Sequence, residues 1–120
     1  MPFPRADEKT RAFFQSIMSD YPGVELKPMF GHIAAFINGN MFAGTFGSDI
    51  ALRLSTEARA ELLREEGASV FEPMPGRPMK EYVMLPSPWL NDPEKVRRWV
   101  SRALEWAAQL PPKGRSGRRR

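Results

Sequence analysis

The stretch that decides the fold class of this chain is Ile33-Ala34-Ala35-Phe36-Ile37-Asn38-Gly39-Asn40-Met41-Phe42-Ala43-Gly44-Thr45-Phe46. Two apolar, strand-like runs flank Asn38-Gly39-Asn40. Asn-Gly tolerates the positive φ angles that a tight hairpin turn requires, so the pattern predicts a β-hairpin of strands 33–37 and 41–46. A second turn at Gly47-Ser48-Asp49 and a third strand over 50–54 extend it to an antiparallel meander.

Upstream of the hairpin, the pattern predicts one helix and one strand. The helix begins near Ala6 or Asp7 and runs to about Ser19, with apolar residues at helical spacing, and Pro22-Gly23 ends it. The strand covers Val24–Phe30. Proline cannot donate a ladder hydrogen bond, so Pro28 indicates an edge strand or a bulge.

Downstream, a helix capped by Ser55 or Thr56 is expected to run to Glu66, before Gly67. We expect a short strand at 69–72, a loop at 73–78 because three prolines do not suit a central sheet, and a strand at 79–85. Asp92 as N-cap and Pro93 at the first helical position begin the last helix, which ends at Pro111-Pro112.

The resulting order is α-β-β-β-β-α-β-β-α, an α+β fold with helices packed against an antiparallel sheet. A length of 120 residues and 42% hydrophobic residues suit one soluble domain. We predict a single domain over 1–110 and a basic, disordered tail over 111–120.

Composition excludes several function classes. The chain has no cysteine and one histidine, His32, so we predict no metal site, no cofactor and no catalytic triad. The longest apolar run is five residues, against roughly 18–20 for a membrane span. The first residues lack the apolar segment of a secretory signal, and cytoplasmic location is therefore the expectation.

Charge is concentrated at the C-terminus. The formal net charge is +4, but the last ten residues hold five basic and no acidic side chains, which leaves 13 basic and 14 acidic side chains in residues 1–110. A weak, non-specific contact with nucleic acid through the tail is one hypothesis, and a solubilising tail is the favoured alternative. The tail cations are Lys113, Arg115, Arg118, Arg119 and Arg120.

Few residues suggest chemistry. Gly39 to Thr45 has the glycine spacing of a phosphate loop but lacks the lysine and lies in a hairpin. A catalytic base and a ligand contact are two functional hypotheses for His32. A hydrogen-bonded structural histidine is the favoured interpretation. Trp99 is expected in the core. The candidate interaction or ligand surface comprises His32, Arg53, Arg77, Lys80, Tyr82, Trp89 and Trp106.

A family resemblance rests on an ordered set of motifs: Met29-Phe30-Gly31, Asn38 to Ala43, Leu52-Arg53-Leu54, Gly67-Ala68, Phe71, Gly76, Met79, Tyr82, Leu85-Pro86 and the Trp99 helix. With these motifs the chain resembles the N-terminal domain of the TfoX/Sxy competence-regulator family, with His32 where many members carry a second glycine. The resemblance implies an α+β domain in a non-enzymatic, cytoplasmic bacterial protein. In full-length competence regulators this domain precedes a second, helical one and acts with a cyclic-AMP receptor protein at promoters; here a stand-alone domain is expected.

Three functional hypotheses follow. The leading one is a regulatory domain that binds a protein partner, with transcriptional regulation of competence as the role the resemblance implies. The second is a nucleic-acid-associated accessory protein acting through the tail. The third is a small-molecule-binding or enzymatic domain, which a deep pocket collecting the candidate side chains would favour. Exposed edge strands leave both a homodimer and a monomer open.

Overall fold

The computed structural model of the chain describes residues 7–29 and 31–112. Within them, α-helices and the strands of one antiparallel sheet follow each other in the predicted order, so the α+β fold is confirmed. The elements are α1 (Glu8–Met18), β1 (Glu25–Met29), β2 (His32–Ile37), β3 (Asn40–Phe46), β4 (Asp49–Arg53), α2 (Thr56–Leu63), β5 (Ser69–Met74), β6 (Arg77–Met84), a 3-10 helix (Ser87–Asn91) and α3 (Pro93–Ala108).

The β2–β3 hairpin forms as predicted. Asn38 and Gly39 have φ angles of 53° and 82°, and Ile37 pairs directly with Asn40 across this two-residue turn. The remaining strands extend the hairpin into a six-stranded sheet in the order β1-β2-β3-β4-β6-β5 over the described residues. One register shift, between Ala35 and Phe36, places an extra β3 residue opposite β2.

The prediction is confirmed for one of the two proline-containing regions and is wrong for the other. Pro28 lies in β1, which is an edge strand with all five residues exposed, so that prediction is confirmed. The predicted loop at 73–78 is wrong, because β5 and β6 form a tight hairpin with only Pro75-Gly76 outside the strands. The sheet accommodates the prolines because β5 is the other edge, and Pro78 precedes the part of β6 that pairs with β4.

Capping residues set the helix limits. The Ser55 side chain accepts a hydrogen bond from the backbone N–H of Ala58 at 3.2 Å. Asp92 accepts one from Lys95 N–H at 3.4 Å, with Pro93 at the first position of α3. α2 ends at Leu63, three residues earlier than predicted. No helix within 7–29 and 31–112 has the length and apolar character to span a bilayer.

The main core lies between the helices and one face of the sheet. Phe14 and Ile17 of α1 and Val100 of α3 pack against sheet residues such as Phe42 and Leu52, all fully buried. Trp99 is 7% exposed and belongs to this core, as predicted. Because the helices occupy this face, alternate strand residues point to the opposite face, which is called the uncovered face below.

Candidate binding site

The uncovered face carries a second apolar cluster built only from strand residues. Ala51, Phe71 and Tyr82 are buried in it, and Met41, Phe46 and Met84 pack against them. The Phe71 ring meets Phe46 edge-on at 5.1 Å between centroids and Tyr82 at 6.4 Å. The sheet therefore buries apolar side chains on both faces, although the described helices cover only one.

A cavity of about 230 Å³ opens in this cluster. Its floor is a row of small residues in three adjacent strands, because Ala34 pairs with Gly44 and Gly44 pairs with Ala51. Larger side chains stand around this row, and six of those that line the cavity are Met29, His32, Met41, Phe46, Phe71 and Met79. The cavity exists because the register of β2, β3 and β4 places these three small residues side by side.

His32 lines one end of the cavity. Its imidazole stacks on Phe46 with centroids 5.2 Å apart and an interplanar angle of 23°. Neither ring nitrogen has a hydrogen-bond partner among the described residues, and both are shielded from solvent. Burial lowers the pKa of His32, so the ring is neutral at pH 7. The predicted hydrogen-bonded histidine is wrong in this respect, because apolar cavity residues surround the ring.

A more polar hollow adjoins the cavity. It is lined by Arg53, Met79, Lys80, Glu81 and Tyr82, and Met79 is shared with the cavity wall. Arg53 Nε donates to Glu81 Oε1 at 2.6 Å.

The carbonyl oxygen of Met41 connects this hollow to the cavity. It accepts from Arg53 Nη1 at 3.5 Å and from the Tyr82 hydroxyl at 3.3 Å. Burial raises the pKa of Tyr82, which keeps that hydroxyl protonated. The hollow therefore presents two cations, one carboxylate and a neutral phenol beside an apolar cavity.

Comparison with protein families gives a decisive match. The family model of the TfoX N-terminal domain matches residues 16–107. The chain belongs to this family. The match runs from α1 through all six described strands to α3 and so includes the cavity and the hollow. No curated protein matches the chain.

In this TfoX N-terminal domain, three of the seven predicted surface residues share the hollow and a fourth lies in the adjoining cavity. His32 lines the cavity, and Arg53, Lys80 and Tyr82 line the hollow. Arg77 is exposed at the start of β6, in neither site. Trp106 is half-buried on α3, away from both.

Trp89 is one of the candidate surface residues, and the structure places it in the main core. The 3-10 helix turns its side chain inward to 8% exposure, with Lys95 Nζ 5.0 Å from the ring centroid. The tail cations 113–120 lie outside the described residues.

The residues that sequence reasoning missed are the cavity walls and floor. Met29 and Met79 are each 37% exposed and stand at the wall of the cavity. The turn alone did not provide this signal: extending the Ile37–Asn40 pairing puts Ala34 opposite Ala43, and only the register shift between Ala35 and Phe36 places Ala34 opposite Gly44 in the row of small residues. That row of small residues indicates a depression in the sheet surface.

Proposed function

We propose that this TfoX-family domain is a non-enzymatic regulatory domain that acts by binding, with the cavity on the uncovered face as its binding site. The observation that carries the proposal is the apolar cavity itself, open on a sheet face that no described helix covers. Methionine side chains are flexible and polarizable, which suits a wall that adapts to an occupant.

The chemistry of the cavity supports a binding role over catalysis. Among the described residues that line the cavity, His32 is the one with a titratable side chain. General acid–base catalysis needs a histidine within hydrogen-bond reach of the group that it serves and oriented by a partner. The His32 ring instead stacks on Phe46, and its nitrogens contact no donor or acceptor of the described chain.

Transcriptional regulation is the part of the proposal that rests on family membership. We extend to this chain the cytoplasmic, competence-linked role that the TfoX/Sxy resemblance implies. The domain would couple occupancy of its cavity to the regulation of transcripts in the host that encodes it.

The test uses two matched substitutions. Met79→Glu places a charge at the cavity rim, and Leu63→Glu places one at an equally exposed position on α2, at 37% and 39% exposure. A deletion strain is complemented with the wild type and each variant after thermal melting confirms both folds. We expect Leu63→Glu to restore the transcript profile and Met79→Glu to fail. Full restoration by Met79→Glu would refute the cavity as the functional site.

A protein partner is a second candidate, favoured by the sheet edges. The exposed large apolar residues Val70 and Met74 lie on edge strand β5. An edge strand offers unpaired backbone groups to an extended segment, from a partner or a second copy. Crosslinking with mass spectrometry should map such a segment to Ser69–Met74, and light scattering separates the two cases. Crosslinks that avoid β5 would reject this candidate.

Action on nucleic acid through the tail stays a prediction, since residues 113–120 lie outside the described residues. Heparin retention of the full chain is compared with that of a chain ending at Pro112. Five positive charges predict weaker retention after truncation, and a steep loss of retention with salt. Equal retention would place the basic surface within the fold.

A further inference from the structure

We infer that the cavity binds a small amphipathic acid: an aromatic or short-alkyl body in the apolar cavity, and a carboxylate in the hollow of Arg53 and Lys80. This inference rests on the proposed binding function and names its ligand class.

The apolar part of the ligand follows from the cavity lining. The small-residue row Ala34, Gly44 and Ala51 leaves a flat floor, and the rings of Phe46 and Phe71 stand beside it. Aromatic rings and methionine sulfurs favour contact with another aromatic or alkyl group. A volume of about 230 Å³ lies below the roughly 300–1,000 Å³ of sites for drug-sized ligands, so the body is small.

The acidic part follows from the charges next to the opening. Arg53 and Lys80 bring two positive charges to the hollow and Glu81 one negative charge. Glu81 is engaged with Arg53 Nε, whereas Lys80 has no carboxylate within 4.0 Å among the described residues. The surplus of one positive charge matches a monoanion.

The polar end of the ligand is assigned to this hollow and not to His32. Burial keeps the imidazole uncharged, so the other end of the cavity offers no positive charge to an anion. Met79 belongs to the walls of both the cavity and the hollow. We therefore place the body of the ligand over the floor and its carboxylate toward Lys80, across the shared Met79 side chain.

The test compares three probes with the same body: 4-phenylbutyrate, 4-phenylbutanol and 4-phenylbutylamine. Each is titrated into the full chain labelled with carbon-13 at the methionine methyl groups. Met29, Met41 and Met79 report on the cavity, and Met18, buried in the other core, is the internal control. We expect shifts at the three cavity methyls and not at Met18, with the acid at least about fivefold tighter than the amine and tighter than the alcohol.

Two substitutions locate the head group. Lys80→Gln should weaken 4-phenylbutyrate about three- to fivefold and leave 4-phenylbutanol unchanged, and Lys9→Gln on α1 should change neither. Ala51→Leu fills the floor and should abolish binding of both. If Ala51→Leu does not fold, Met79→Glu takes its place, and the charge that it puts at the cavity rim should likewise abolish binding of both probes.

The outcomes separate this inference from the proposed function. If the alcohol binds as tightly as the acid, or Lys80→Gln has no effect, the acid assignment is overturned while the cavity remains a binding site. If none of the three probes shifts a cavity methyl, the inference fails at the cavity itself. The transcript experiment with Met79→Glu then decides independently whether the proposed function survives.

Discussion

The imidazole of His32 stacks on the ring of Phe46 at 5.2 Å, and both of its nitrogens lack a hydrogen-bond partner in the described chain. An unsatisfied polar group that is shielded from water costs roughly 1–3 kcal/mol. The stacking of an aromatic pair stabilises the fold by about 0.5–1.5 kcal/mol. His32 therefore contributes to the fold through its ring and not through its nitrogens.

Replacing this histidine by phenylalanine should stabilise the domain. His32→Phe keeps a ring against Phe46 and removes both unsatisfied nitrogens, so we expect the free energy of unfolding to rise by about 1 kcal/mol. His32→Ala is the control, since it removes the nitrogens together with the ring and should lower stability. Urea unfolding of the three proteins at pH 7.5 measures both changes. A less stable His32→Phe would show that the nitrogens are satisfied in solution.

The burial of His32 also predicts that the stability of the domain depends on pH. The folded-state pKa of His32 lies below the unfolded value of about 6.5, so the unfolded state binds more protons between these values. Stability is retained above pH 6.5 and is lost as the pH falls from there toward the folded-state pKa. Urea unfolding at pH 7.5, 6.5 and 5.5 should show a smaller loss for His32→Phe than for the wild type. Parallel losses would assign the pH dependence to other groups.

Much of the fold was accessible from sequence because its determinants are local. Asn38-Gly39 specifies the turn through its backbone conformation, and Asp92-Pro93 specifies a helix start. The prediction of a loop at Pro73–Pro78 is wrong because the free-energy cost of a proline in a sheet depends on whether its strand is an edge and on where strand pairing begins. Both are properties of the assembled sheet.

The candidate site was only partly accessible for a related reason. His32, Arg53, Lys80 and Tyr82 were suggested by residue type. Their division between an apolar cavity and a charged hollow depends on β4 pairing with β6, strands that are separated by α2 and β5. Trp89 shows the same limitation, because an apparent loop residue is drawn into the core once the 3-10 helix forms.

The tryptophans of α3 should differ in their contribution to stability. Trp99 is 7% exposed in the main core, with the Arg102 guanidinium 4.6 Å from its ring centroid. Trp99→Ala should cost about 3–5 kcal/mol, because a buried aromatic leaves a large cavity. Trp106 is half-buried outside both core clusters, so Trp106→Ala should cost about 1 kcal/mol or less. Equal losses in denaturant titration would show that α3 packs through a different face.

The last prediction concerns how the end of α3 is held against the hairpin. Asn40 is 3% exposed, and its Nδ2 donates to the carbonyl oxygen of Pro111 at 3.1 Å. Asn40→Ala should lower the free energy of unfolding by about 1 kcal/mol. A chain ending at Leu110 loses the same acceptor, whereas one ending at Pro112 keeps it and should unfold like the full chain.

If the hydrogen bond from Asn40 to Pro111 causes both losses of stability, the losses from Asn40→Ala and from truncation at Leu110 will not be additive. Truncation at Leu110 should cost about 1 kcal/mol in the wild type and much less in Asn40→Ala, since the interaction is already absent there. Thermal and urea unfolding of the four proteins in this cycle, with the chain ending at Pro112 as reference, measures the coupling. Fully additive losses would show that Asn40 and Pro111 stabilise the domain independently, and a chain ending at Pro112 that unfolds early would place the stabilising contact beyond residue 112.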